Sequence, residues 1–153
     1  MANVVTLRRI QKKDIAIIRP LWDKLRLHHY ETSVHFKDFY TTFTFEIRTR
    51  KLLELNEDDL FLEIAELETG DLIGYCISSI SKDCAGELDS IYIEDEFRKR
   101  GVGSGLVRDS IEWMKSRACA HIIVGVANGN ESALPFYEKF GFLPRMTVLE
   151  LKD

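Results

Sequence analysis

The chain predicts a mixed α/β (α+β) fold in which helices pack on one sheet. Three observations lead there. The 153 residues are 45% hydrophobic and 30% charged, enough apolar material for one core in a single domain over residues 1–153. Stretches of two-residue alternation and stretches of helical spacing interleave along the chain. Their order is strand, two helices, three strands, helix, strand, helix, strand, which suits helices layered on a sheet.

The elements follow in order. "VVTLRRI" reads as a first strand. "KKDIAIIRPLWDKLRLHHY" sets Ile15, Ile18, Leu21, Trp22 and Leu25 along one helical side, with Asp14 placed to start it and Pro20 to kink or divide it. "FKDFYTTFTFEIRTRKLLEL" has strand-like β-branched and aromatic residues, but its length and basic end favour helix. "DLFLEIAEL" and "LIGYCISSI" flank "ETGD", a hairpin connection. "GELDSIYI" continues the run, with Leu88, Ser90 and Tyr92 on one side and Glu87, Asp89, Ile91 and Ile93 on the other. An amphipathic helix follows, turning Val102, Leu106, Val107, Ile111, Trp113 and Met114 toward a core. "HIIVGV" is almost uniformly apolar, as in a buried strand. "NESALPFYEKF" is a helix stopped by Gly141, with Pro135 tolerable in its first turns, and "MTVLELKD" closes as a strand.

Charge and composition exclude several classes. A net charge of -4 with a single short basic cluster argues against a nucleic-acid partner. No apolar run approaches membrane-spanning length, and Met1-Ala2-Asn3 opens without a signal core, so no membrane partner is expected and the cytoplasm is the expected location. The 3 cysteines, Cys76, Cys84 and Cys119, have neither disulfide-framework nor zinc-ligand spacing, and no metal is expected. His28 and His29 are adjacent and point about 100° apart on a helix, so they do not form a metal pair.

The chemistry concentrates in "DEFRKRGVGSG". Arg98, Lys99 and Arg100 run directly into Gly101, Gly103 and Gly105, where a strand ends and a helix begins. The first N–H groups of a helix lack internal partners and lie at its positive end. Glycines there let a bulky anion approach the backbone. The stretch is not a P-loop, because no Gly-Lys-Ser/Thr follows. Nor is it the dinucleotide fingerprint, because the third glycine has the wrong spacing.

The pattern Arg98-x-x-Gly101-x-Gly103 after "LDSIYI" resembles the pyrophosphate motif of the GNAT acyltransferase superfamily. The later motif resembles it as well, through Asn130, Ala133, Phe136, Tyr137, Lys139, Gly141 and Phe142. Residues 86 to 142 carry the specific likeness; residues 1 to 85 agree in element order only. The resemblance implies a mixed, mostly antiparallel twisted sheet of six to seven strands with about four helices packed on it. It implies N-acetyl transfer from acetyl-CoA, the co-substrate, to a primary amine of an unidentified acceptor. Homodimers are common in the family. A non-catalytic acyl-CoA-binding or sensing module of the same fold is the alternative.

Site residues follow from the same likeness. Backbone N–H groups over Lys99, Arg100, Gly101, Val102, Gly103 and Ser104 would hold the CoA pyrophosphate, with Arg98, Lys99 and Arg100 supplying charge. A bulge in the preceding strand would free backbone groups around Ile91, Tyr92 and Ile93 for the thioester and the pantetheine. Glu87, ranked first, or Asp89 would take the proton of the amine. Tyr137 matches the tyrosine that donates to the leaving sulfur. Asn130 would bond the cofactor or cap the helix it precedes.

Overall fold

The computed structural model describes residues 4–153. Met1, Ala2 and Asn3, read above as lacking a signal core, lie outside the described residues. Five strands form one sheet in the order β1 (Val5–Arg9), β2 (Leu60–Leu67), β3 (Leu72–Ile80), β4 (Ala85–Ile93), β5 (His121–Val124). The first four are antiparallel neighbours, and β5 joins β4 in parallel.

Pro20 divides the first helical stretch. A 3-10 turn runs over Lys12–Ile18, then α1 (Arg19–Thr32) begins with the proline in its first turn. There the missing N–H would have had no partner anyway. The second stretch is two helices, α2 (Lys37–Thr42) and α3 (Phe45–Leu53). Thr44 separates them, its hydroxyl accepting from the Ile47 N–H at 3.3 Å as a cap for α3. Helix α4 (Val102–Ser116) links β4 to β5, and the short α5 (Leu134–Glu138) follows.

The sheet separates two cores. Leu60, Leu62 and Ile64 of β2 meet the 3-10 turn through Ile18, α1 through Trp22, and α3 through Phe45 and Leu52. Phe61 and Ala65 face the other way and pack with Leu106 and Val107 of α4. Strict alternation in β2 puts each set on its own face.

Among the described residues the sheet has five strands rather than six to seven, and there are five α-helices rather than about four. The predicted closing strand is the first difference. Residues 143–153 form no strand, and Leu143, Met146, Val148, Leu149 and Leu151 are exposed. Their apolar positions switch parity between Val148 and Leu149, so one strand face cannot bury them together. The Lys152 ammonium instead donates to the His35 carbonyl at 2.6 Å. The second difference follows from the first. With no strand beyond it among the described residues, β5 is an edge, its residues alternate between half-buried and exposed, and Ile123 is 45% exposed rather than buried.

The faces of β4 also differ from a simple alternation. Ile77 of β3 pairs with Ser90, but Ser78 pairs with Leu88, which leaves Asp89 as the extra residue of a bulge. One extra residue reverses the parity beyond it. Leu88, Ile91 and Ile93 therefore join the α4 core, while Tyr92 packs on the α1 side. Ser90 turns with Tyr92, its hydroxyl 2.7 Å from that of Tyr75. Glu87 and Asp89 line one cleft, and Ile91 and Ile93 do not join them there.

Candidate active site

Strand β5 accompanies β4 only from Ala85 to Leu88. Beyond Leu88 the outer edge of β4 has no strand partner among the described residues. The direction of its backbone groups can be read from two hydrogen bonds. The Glu94 N–H donates to Ile73 of β3 at 2.9 Å, so residues 92 and 94 point inward. Ile91 and Ile93 then present their N–H and C=O groups to the open edge. The Arg98 Nε, donating to the Ile93 carbonyl at 2.8 Å, meets that edge from outside.

The edge leads into the glycine turn. Lys99 and Gly101 both take left-handed conformations, with φ of 62° and 84°. Gly101 is the N-cap residue of α4, with no side chain bonded to the cap and no acid in the first turn. The first intrahelical bond is from Gly105 N–H to the Gly101 carbonyl at 3.0 Å. The N–H groups of Val102, Gly103 and Ser104 precede it and so lack helical partners. They point along the positive end of a helix of 15 residues.

The three cations are not equivalent. Arg98 is tied to the loop by Ile93 and by Asp95 at 2.8 Å, and it lies over the Tyr92 ring. Arg100 lies over Phe97, and Lys99 is exposed at the turn. Arg98 thus braces the junction between strand and turn, while Lys99 and Arg100 offer charge at its rim.

Gly103 brings the second motif to the first. A side chain there would touch Phe136 at 3.4 Å and Ile93 at 3.6 Å. Helix α5 therefore stands against the first turn of α4, and Tyr137 is packed edge-on against Phe136 and Phe142. Burial pushes the Tyr137 phenol up to about 12, so it stays protonated through neutral pH. Asn130 precedes a 3-10 turn but makes no side-chain cap. Its side-chain oxygen instead accepts from His28 Nε2 at 2.9 Å, joining α1 to the loop before α5. Capping was the commoner expectation for an isolated asparagine; the partner is 102 residues away and has no local signal.

The acids sit on the α3 side of β4, in an open cleft of about 510 Å³ that includes Phe43, Ile47, Arg48, Lys51, Ser79 and Ile123. The Asp89 side chain is only 7% exposed. Its Oδ2 accepts from the Ser79 hydroxyl at 2.6 Å, and Arg48 stands 3.6 Å from Oδ1. Burial raises the Asp89 carboxyl to about 7, against the Ser79 hydrogen bond and the Arg48 charge, with Glu87 adding to the rise. Glu87 is half-buried beside it. Arg48 and Ser79 escaped the sequence reading, because nothing in "FEIRTRK" or "ISSI" announces that they meet on a bulge. Among the described residues no group of three or more His, Cys, Asp or Glu side chains could hold a metal ion. No helix among them is long and apolar enough to cross a membrane.

The strand edge of β4 thus opens onto a bare helix N-terminus, with the second motif folded against it. The acetyltransferase (GNAT) family pattern matches residues 22–142, and the chain belongs to that family. Among its relatives is an uncharacterised N-acetyltransferase of Methanocaldococcus jannaschii, 31% identical over 100 residues, covering 63% of this chain and 44% of the relative. Glucosamine 6-phosphate N-acetyltransferase of Trypanosoma brucei brucei is 33% identical over 57 residues, covering 37% of each chain. The chain thus spans less than half the length of these curated relatives. Among solved structures, a Pyrococcus furiosus protein assigned as an acetyl transferase superposes with a TM-score of 0.79 at 23% identity, covering 98% of this chain and 100% of that one. The aminoglycoside N-acetyltransferase AAC(6')-Iy in complex with CoA gives 0.65 at 20% identity, covering 100% and 97%. These two likenesses concern the fold.

Proposed function

We propose that this chain is a single acetyltransferase domain over residues 1–153 that moves the acetyl group of acetyl-CoA to a primary amine. The observation that carries this reading is the unpartnered outer edge of β4 leading into the uncapped N-terminus of α4. A thioester and its pantetheine arm need a run of free backbone groups, and a pyrophosphate needs unpaired N–H groups at a positive helix end. The two features adjoin here. Ile91, Tyr92 and Ile93 would flank the arm, and the turn from Arg98 to Ser104 would seat the pyrophosphate. Asn130, already held by His28, would stand beside the cofactor.

The chemistry is direct attack. The amine nitrogen forms a bond to the thioester carbon, the carbon–sulfur bond breaks, and the nitrogen gives up a proton. The N–H groups of the open β4 edge stabilise the negative charge that develops on the carbonyl oxygen. Asp89 takes the proton, directly or through water. What supports Asp89 over Glu87 is its carboxyl poised near neutrality, the range in which a general base works best at physiological pH. Glu87, beside it, helps hold that value. Tyr137, neutral and close to the turn through Phe136, donates to the departing sulfur. The reading needs no metal, and the acceptor is defined only as a primary amine.

Thiol release from acetyl-CoA across a panel of amines tests the activity. Turnover with at least one amine is expected, with an acid limb near pH 7. Asp89→Asn should reduce turnover by about 10²- to 10⁴-fold while acetyl-CoA affinity holds. CoA binding with no turnover on any amine would favour the sensing module instead. Full activity in Asp89→Asn with loss in Glu87→Gln would return the base to Glu87.

A further inference from the structure

Arg48 lies in α3, far from both sequence motifs, yet its side chain ends on the bulge. Its Nη2 donates to the Asp89 carbonyl at 2.7 Å and stands 3.6 Å from the Asp89 carboxylate. The first contact answers an accounting question. As the extra residue of the bulge, Asp89 has no partner on β3, and β5 has already left β4 at Leu88. Its carbonyl therefore has no strand to bond, and a buried unpaired carbonyl is costly. Arg48 supplies the missing donor from outside the sheet.

The arginine is itself well held. Phe45, Thr49 and Leu52 bury the inner side of α3, and the Thr44 cap fixes its start. Its side chain is 26% exposed where it reaches the cleft. We propose that Arg48 is a positioning residue: it closes the β4 bulge and keeps the Asp89 carboxylate charged and directed into the cleft. The catalytic consequence rests on Asp89 being the base.

The other groups facing Asp89 set what a change at Arg48 does. From β4 comes Glu87, from β3 the Ser79 hydroxyl, from α3 also Lys51, and from β5 only apolar Ile123. Arg48, 3.6 Å from the carboxylate, is the cation that opposes both burial and Glu87. Without it the carboxyl should hold its proton to higher pH.

The test uses the full chain with Arg48→Met and Arg48→Lys, checked for folding by circular dichroism. Carboxyl carbon NMR follows the Asp89 titration with no substrate present, and kcat is measured against pH with the best amine. In Arg48→Met the Asp89 midpoint should rise by about one unit, about a tenfold loss of the charged form below the midpoint. The acid limb of kcat should move with it, while acetyl-CoA affinity stays within about twofold. Arg48→Lys should restore most of the midpoint, because it keeps the charge. A folded Arg48→Met protein whose Asp89 titration is unmoved overturns the proposal. So does a fall in melting temperature with unchanged pH dependence. If instead Asp89→Asn is fully active, the base assignment fails, and the NMR titration still reads Arg48's hold on the carboxylate.

Discussion

Gly101 and Tyr137 are the residues whose local physics is sharpest. Gly101 takes φ 84° with nothing within 4 Å of where a side chain would stand. Alanine there meets no clash, only the left-handed penalty of about 1–2 kcal/mol. Gly101→Ala should therefore fold, lose about 1 kcal/mol of stability, and weaken CoA binding by tilting the three free N–H groups. Calorimetric titration with CoA beside a melting curve checks both; unchanged CoA affinity would remove the turn from the site. Tyr137→Phe keeps the edge-on contacts with Phe136 and Phe142 and loses the donor. Because the phenol lies at about 12, the native donor is present at every physiological pH. The rate defect should be largest near neutrality and shrink as pH approaches the thiol value of about 8.5, where thiolate leaves unaided. A lowered melting temperature without a pH-dependent defect would make Tyr137 purely a packing residue.

At the scale of elements, α3 shows how local rules reach the site. The Thr44 cap decides where α3 starts, and hence where Arg48 falls on its surface. Thr44→Ala should cost about 1 kcal/mol, read from denaturant midpoints, with no change in the denaturant slope. What was legible in the sequence follows the range of the forces involved. Pro20 marks a helix start through its own ring. The apolar spacing of Val102, Leu106 and Met114 sets the buried side of α4, and all three are buried. The β4 bulge is different. Which residue is squeezed out depends on the register between β3 and β4, and "GELDSIYI" alone cannot carry that. The alternation read from it held only up to Asp89. The C-terminal residues misled for a related reason: strand-like composition makes a strand only where a sheet edge accepts it. Arg48, Ser79 and His28 each act on partners remote in sequence, beyond the reach of any local pattern.

Across the whole molecule, one acid sits on the face opposite the candidate base. Glu63, in the middle of β2, is 5% exposed, and one of its carboxyl oxygens is unpaired. Burial raises it to about 8, aided by a hydrogen bond and the charge of Asp109 and opposed by Arg9. The folded state thus holds this proton more tightly than the unfolded chain does. The resulting stability is full below the unfolded value of about 4.3 and is lost as pH rises through about 8. Glu63→Gln cannot ionise, so its melting temperature should exceed that of the native protein at pH 9, and the difference should vanish at pH 4. A constant difference across that range would mean that Glu63 is not titrating in the folded state.

The bulge at Asp89 makes the chain length of β4 a matter of inheritance as well as geometry. In a regular strand a one-residue deletion turns every later side chain to the other face, but a bulge holds one residue that the ladder leaves unpaired. Removing Asp89 would regularise the ladder and leave the other pairs of β4 with β3 in place, from Gly86 with Ile80 to Ile93 with Gly74. Leu88, Ile91 and Ile93 would keep the α4 side, and Ser90 and Tyr92 the α1 side. What the deletion removes is the proposed base and the carbonyl that Arg48 holds. Deletion of Asp89 should therefore leave soluble yield near that of point changes at the same position while abolishing turnover, a contrast that a paired deletion and substitution scan scored by both would expose. Lineages descended from this chain could keep the fold without position 89, yet they would give up the chemistry proposed for it.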